Sequence, residues 1–266
     1  MRINLKLITK DYYLPINYYY PLSAAIYKTL HFGSPEFSKF LHSIGYKSNN
    51  KTYKLFTFSL KFKYDKIEKD LFHLSSNELE LAISSPIIDD FIRSVVIGCF
   101  KGGKIELLNK KIRLVLEIEQ MEEIPQPKFD LFCNFKLLSP LVLSTKLERN
   151  GKLTQHFFEY YDDINEINRV FNSNLINKYE AIYKTKYVGE PIKFNWLTDY
   201  IQKQLKYNKS IKRLIKIEKP NKPNINIIGN IIPFSLIGDS SLINVGYQAG
   251  FGEKNSLGFG MAQILS

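Results

Sequence analysis

Gly250-Phe251-Gly252-Glu253-Lys254-Asn255-Ser256-Leu257-Gly258-Phe259-Gly260 is the stretch on which the fold turns. Two Gly-Phe-Gly units flank a polar loop that carries Glu253, Lys254 and Asn255. Glycines so placed let backbone N–H groups converge on an anion such as a phosphate, which makes the loop a candidate cradle for a nucleic-acid backbone. Two glycine-rich folds are excluded by register. A dinucleotide fingerprint needs Gly-x-Gly-x-x-Gly after a strand, and the third position after Gly250 and Gly252 falls on Asn255. A P-loop needs Gly-Lys-Ser/Thr opening a long helix, whereas Gly258 is followed by Phe259. A plain glycine-rich turn before an edge strand stands as the structural alternative.

Outward from this loop, the order of elements reads β, α, β, β, α, β, stated twice. Ile3, Leu5 and Leu7 alternate as a first strand, and Leu22 to Leu30 forms a helix. A second helical stretch follows, capped by Ser34 and opened by Pro35. Phe56, Phe58, Leu60 and Phe62 line one face of a strand whose partner is Glu78 to Ile83. After Pro86, Ile88, Phe91, Ile92, Val95, Val96 and Cys99 stripe a helix that Gly102-Gly103 stops. Ile112, Leu114, Leu116 and Ile118 close the unit.

Pro125-Gln126-Pro127 reads as a linker, since two prolines in three residues favour an extended connection. It sets the expected domains at 1–124 and 125–266. The second round is predicted as a strand over 131–138, a long amphipathic helix over 164–183, and a hairpin of 211–217 with 225–236. A short helix over 241–247 and a final strand over 261–265 complete it. Residues 184–207 give a weaker pattern, read as strand or loop with a short helix. The fold class is α+β, as tandem ferredoxin-like domains with a C-terminal glycine-rich loop.

Among 266 residues, 37 Lys and Arg stand against 26 Asp and Glu, leaving +11. This excess suits a polyanionic partner such as nucleic acid, although lysines set among Asn and Ile also reflect a coding bias. Cys99 and Cys133 lie far apart in apolar surroundings, which favours buried free thiols over a disulfide. The N-terminus lacks the apolar core of a signal peptide and no 18-residue apolar run occurs. A soluble, cytoplasmic protein with no membrane partner is expected.

The segment from Val245 to Met261 resembles the C-terminal motif of the CRISPR-associated repeat-cleaving endoribonucleases, the sixth Cas family, within the repeat-associated mysterious protein superfamily. That motif reads Gly-hydrophobic-Gly, five residues, Gly-hydrophobic-Gly, and the chain fits it without a gap. The resemblance extends through Ala25-Ile26-Tyr27, Phe40-Leu41-His42, Lys54-Leu55-Phe56-Thr57-Phe58-Ser59 and Leu175-Ile176-Asn177-Lys178-Tyr179-Glu180-Ala181. It implies tandem ferredoxin-like domains and an enzyme without cofactor or metal. Its implied reaction is cleavage of CRISPR repeat RNA in precursor transcripts by 2′-hydroxyl attack, leaving 2′,3′-cyclic phosphate and 5′-hydroxyl ends. A guide-RNA-holding subunit without catalysis is the rival within the superfamily. Effector-complex subunits and a second copy of the chain are further expected partners.

Such chemistry requires a base, an acid for the leaving 5′-oxygen and a cation near the phosphorane. Histidine suits the proton transfers, and the chain offers His31, His42, His73 and His156. The resemblance assigns His42 as base or acid, Tyr27 as its proton or orientation partner, and Lys54 as the cation. His31 is the reserve base. The Asn- and Lys-rich segment between His42 and Lys54 adds Lys47 and Lys51 as rival cations, and it reads as mobile until RNA arrives. By position alone, Tyr27 would be a packed tyrosine, His42 a helix-end residue and Lys54 a solvated strand end.

For binding, the loop residues Gly250, Gly252, Lys254, Asn255, Gly258 and Gly260 are candidates. So is the run from Lys203 to Lys222, where Lys209, Lys212, Arg213 and Lys216 are the selected contacts and Glu218 alone opposes them. This density matches a phosphate-tracking surface bordering the loop, against a solvated hairpin as the bland reading. With 19 Phe and 17 Tyr in the chain, no base-stacking residue can be singled out.

Overall fold

The computed structural model describes residues 1–108, 113–149, 151–219 and 223–265. Ile112 and Lys222, both invoked above, lie outside the described residues.

The N-terminal part runs through strands β1 (Arg2–Ile8) and β2 (Tyr13–Pro15), helices α1 (Tyr19–Gly33) and α2 (Pro35–Ser43), and a hairpin of β3 (Tyr46–Ser48) and β4 (Lys51–Tyr53). Strands β5 (Thr57–Lys61), β6 (Tyr64–Glu68), β7 (Leu71–Leu74) and β8 (Glu78–Ser84) follow. A π-helical turn at Ile88–Ile92 leads into α3 (Arg93–Gly102), then β9 (Lys104–Leu108) and β10 (Arg113–Ile124). The main sheet has the order β5-β8-β1-β10-β9. Without its edge strand β9 this is the ferredoxin order, with β1 between the third and fourth strands.

Alternation explains the register: Ile3, Leu5 and Leu7 stand opposite Ile83, Leu81 and Leu79, and all six are buried under α1 and α3. At the start of α2 the Ser34 hydroxyl accepts from the Phe37 N–H, with Pro35 in the first turn, as the sequence required. Ile88 departs from its expected stripe and is exposed. The π turn bonds the Ile92 N–H to the Ile87 carbonyl, and the wider winding carries Ile88 off the face shared by Phe91, Val95 and Cys99. Between β5 and β8 the chain does not turn tightly; β6 and β7 join β2 in a small side sheet of order β2-β7-β6.

The second part comprises β11 (Phe132–Leu137), the hairpin β12 (Ser144–Arg149) and β13 (Lys152–Phe157), and α4 (Ile164–Tyr183). Next come β14 (Lys193–Trp196), α5 (Thr198–Lys206), β15 (Lys212–Ile217), β16 (Ile225–Asn230), β17 (Phe234–Ile237), α6 (Ser240–Ala249), a 3₁₀ turn at Asn255–Leu257 and β18 (Ala262–Ile264). Its main sheet, β14-β17-β11-β18, repeats the ferredoxin order. Phe135, Phe171, Phe194, Phe234 and Phe251 stack into its fully buried core. Cys99 and Cys133 are buried free thiols, and burial pushes the Cys99 thiol up to about 12.

Two sequence expectations are corrected here. The sheet hairpin placed at 211–217 and 225–236 is a separate two-stranded ribbon, β15 with β16, and the inner sheet pairs β17 with β14 from the weakly patterned 184–207 region. The segment 225–236 breaks at Ile231–Pro233 because proline cannot donate to a ladder, so its two ends serve different sheets. No described helix is long and apolar enough to cross a membrane.

Candidate active site and nucleic-acid interface

Tyr27 on α1 and His42 near the end of α2 meet because the two helices lock together, with the Ser38 hydroxyl donating to the Tyr27 carbonyl at 3.2 Å. The Tyr27 ring is edge-on to His42, centroids 5.9 Å apart, and edge-on to the buried Phe56 at 5.7 Å. Burial raises the Tyr27 phenol above its ordinary range, so it stays protonated and can only donate or orient at neutral pH. Lys54 reaches back to the end of α2, where Nζ donates to the Leu41 carbonyl and, at 2.9 Å, to that of His42. It thereby satisfies carbonyls left open at a helix C-terminus and adds positive charge at the negative pole. Burial lowers the Lys54 pKa.

Tyr27, His31, Glu36, Lys39 and His42 line one surface groove of about 590 Å³. His73 and His156 are held elsewhere by Asp65 at 2.8 Å and Asp162 at 3.0 Å. His31 and His42 are exposed, and among the described residues no side chain hydrogen-bonds to either ring. His31 and His42 therefore share one groove beside the Tyr27 phenol.

The glycine-rich loop occupies the junction of the two sheets. Gly250, Gly252, Gly258, Gly260 and Asn255 are buried, and of these Gly252 and Asn255 line a cleft. The N–H groups of Phe251, Glu253, Gly258 and Gly260 are bonded to the carbonyls of Gly260, Val142, Asn255 and Pro140, so the expected anion nest does not form from them. The glycines serve close approach instead. Gly258 has φ +86 and Gly260 φ +74, and a Cβ would lie 2.5 Å from the Phe58 ring at the first and 1.8 Å from the Phe251 carbonyl oxygen at the second. Thr57 and Ser23 donate to the carbonyls of Phe259 at 2.9 Å and Ser256 at 2.7 Å, tying β5 and α1 to the loop. Arg2 lies over the Tyr247 ring at 4.0 Å and donates to the carbonyls of Tyr247 and Ala262. What the loop presents outward is Glu253, Lys254, Ser256 and Leu257.

The β3–β4 hairpin, expected to be mobile, is docked. Asn49 and Asn50 both take positive φ, the turn geometry that matches strand twist in a two-residue hairpin. Its tip donates from Ser48 and Asn49 to the Glu180 carboxylate on α4, at 3.0 and 3.1 Å. This builds a cleft of about 350 Å³ lined by Lys51, Lys54, Asn174, Lys178, Glu253 and Lys254. A second groove of about 580 Å³, with Lys146, Gln155 and Arg169, shares Lys51 and Glu253 with it. Lys54 thus touches the His42 backbone on one side and the loop's cleft on the other, whereas the exposed Lys47 lines neither.

The β15–β16 ribbon packs Ile215, Ile217 and Ile227 against Phe259, so it does border the loop. Its cations are partly committed: Lys212 pairs with Glu159, from outside the run, and Lys216 with Glu218. Lys209 and Arg213 are exposed. Sequence reasoning missed Lys178, whose Nζ donates to the carbonyls of Gly250 at 2.6 Å and Gly252 at 2.7 Å, and to Asn255 Oδ1 at 2.7 Å. The signal was present: Ile167, Phe171, Leu175 and Lys178 fall at helical spacing, which puts a lysine in the buried stripe of α4.

Two ferredoxin-order sheets joined by a Gly-hydrophobic-Gly loop, with a histidine and tyrosine pair on the first helices, match the tandem ferredoxin-like architecture expected from the sequence. Comparison with known proteins narrows this. "CRISPR associated protein Cas6, C-terminal" matches residues 123–264 and "CRISPR-associated protein Cas6, N-terminal" matches residues 13–118. The chain is 32% identical to the CRISPR-associated endoribonuclease Cas6 1 of Methanocaldococcus jannaschii, covering 98% of this chain and 91% of the relative. It is 26% identical to the CRISPR-associated endoribonuclease Cas6 of Pyrococcus furiosus, covering 99% and 90%. A solved structure described as CRISPR associated protein Cas6 superposes with TM-score 0.74 at 30% identity, over 100% of this chain and 99% of that one. The chain belongs to the Cas6 family.

Proposed function

We infer that the protein is an endoribonuclease that binds CRISPR repeat RNA within precursor transcripts and cuts it by attack of the 2′-hydroxyl on the adjacent phosphorus. The bond from phosphorus to the 5′-oxygen breaks, and the products carry a 2′,3′-cyclic phosphate and a 5′-hydroxyl. His42 moves a proton at the scissile site, the Tyr27 phenol orients or donates beside it, and Lys54 supplies positive charge toward the phosphorane. The carrying observation is that His42 and His31, unlike the Asp-paired His73 and His156, are exposed in one groove with Tyr27, and that Lys54 links His42 to the loop's cleft. Residues 1–124 carry the reacting groups, and 125–266 supply the loop and ribbon. Effector subunits and a second copy of the chain are the further partners this reading admits.

Two results bear on it directly. If RNA lies against Lys51, Lys54, Lys254, Lys209 and Arg213, about five phosphate contacts give a slope near −3.5 in log K against log salt for a single strand. Affinity for repeat RNA should then fall about 100-fold between 50 and 200 mM salt; a flat response in a filter-binding titration sinks the basic-groove reading. Lys54→Met should lower the single-turnover cleavage rate by at least tenfold and destabilise the end of α2 by about 1 kcal/mol, read by urea unfolding. Wild-type cleavage in that variant would transfer the cation role to Lys51.

A further inference from the structure

Among the described residues Lys178 is the only fully buried lysine, 2% exposed in the apolar stripe of α4. An ammonium taken out of water costs several kcal/mol unless its hydrogens find acceptors. Here all three do, yet each acceptor is a neutral dipole: the Gly250 and Gly252 carbonyls and the Asn255 amide oxygen. The carboxylate facing it, Glu253, bonds instead to the Ser144 hydroxyl at 2.7 Å. Burial draws the Lys178 pKa down to about 7, with Glu253 opposing, but three acceptors around Nζ match the three hydrogens of the ammonium, where a neutral amine has only two. A hydrophobic side chain would fill this stripe at lower cost, so the charge calls for a role beyond packing.

Its partners show the role. Asn255, held by Lys178 through Oδ1, donates from Nδ2 to the Phe251 and Phe259 carbonyls at 3.0 and 2.9 Å. Four loop carbonyls, those of Gly250, Phe251, Gly252 and Phe259, are thereby gathered inward by one ammonium and one amide. Negative peptide ends are withdrawn from the cleft surface, and a charge without a contacting carboxylate lies beneath Lys51, Lys54 and Lys254. We propose that Lys178 is a positioning residue that presets the glycine-rich loop for a polyanion, fixing the loop's shape and leaving a positive charge under the floor of the RNA cleft. This rests on the RNA-cleaving reading above and adds a group buried behind the contact surface.

The test compares wild type with Lys178→Met by repeat-RNA binding and by amide hydrogen exchange over residues 250–261. The expected result is an affinity loss of at least tenfold and at least tenfold faster exchange in the loop, with exchange in α3 unchanged. Should Lys178→Met fail to fold, Lys178→Cys in a chain with Cys99 and Cys133 replaced by Ala is alkylated in denaturant and refolded. An S-aminoethyl group restores the ammonium and an S-propyl group puts a methyl in its place; the chain carrying the first should bind RNA at least tenfold more tightly. Equal affinity and equal loop exchange in either pair overturn the proposal, as does refolding of neither alkylated chain, which would make the site intolerant for reasons other than charge. If wild type binds no RNA, the functional reading fails, while the exchange comparison still reports whether the ammonium orders the loop.

Discussion

Replacing His42 with alanine should lower the single-turnover rate of repeat-RNA cleavage by about 10²- to 10⁴-fold, the usual contribution of a positioned proton-transfer group. RNA affinity should stay within about threefold. The imidazole is exposed at the end of α2 and packs edge-on to Tyr27, so its loss removes a titratable group without opening the core. The same reaction in EDTA should run at the wild-type rate, and a substrate with a 2′-deoxy nucleotide at the cut should be inert. His31→Ala is the control from the same groove. Full activity in His42→Ala with loss in His31→Ala would hand the proton transfer to His31. Tight binding with no cutting by wild type would make the chain a guide-RNA-holding subunit.

Gly260→Ala should destabilise the protein by about 3 kcal/mol or more, and lower Tm by about 6 to 12 °C for a chain of this size. Two penalties coincide: the backbone is at φ +74, and the new Cβ would stand 1.8 Å from the Phe251 carbonyl oxygen. Gly258→Ala should cost less. Its φ is +86, but its clash is with the Phe58 ring, which a side-chain shift relieves in part. Calorimetry ranks the two, and an unchanged Tm in Gly260→Ala would mean that the loop is not packed as described. RNA affinity should fall with Tm in both, because the same backbone carries Lys254.

Those glycines also mark what the sequence left open. Composition placed them in a loop, yet the reading as an anion nest depended on which way the N–H groups pointed, and for Glu253 and Gly260 that was settled by the carbonyls of Val142 and Pro140, more than 100 residues away. The helices were legible because capping and periodicity are local: Ser34 with Pro35, and the stripe through Ile167, Phe171 and Leu175. The strands of the first sheet were legible for the same reason. The ribbon was misassigned because β15 and β16 alternate as well as sheet strands do, and alternation does not tell which neighbour a strand will find. The side sheet escaped notice because β2 is only three residues long. Tyr27, His42 and Lys54 were placed by resemblance rather than periodicity; the fold brings Tyr27 to His42 by ring contact, and Lys54 to His42 through its backbone carbonyl.

The contact from Thr57 to Phe259 spans 202 residues of chain, which gives the protein an order of events during its own synthesis. When β5 leaves the ribosome, the segment that will cover Phe58 and accept from Thr57 has not been made. The first sheet must wait with that edge uncovered, and closing so long a loop is slow relative to local helix formation. Only when residues 250–260 emerge are α1, α2 and the cleft joined into one body. Competence to hold RNA thus comes last, and a message interrupted before that point yields a chain with α1 and α2 but without the floor of the cleft.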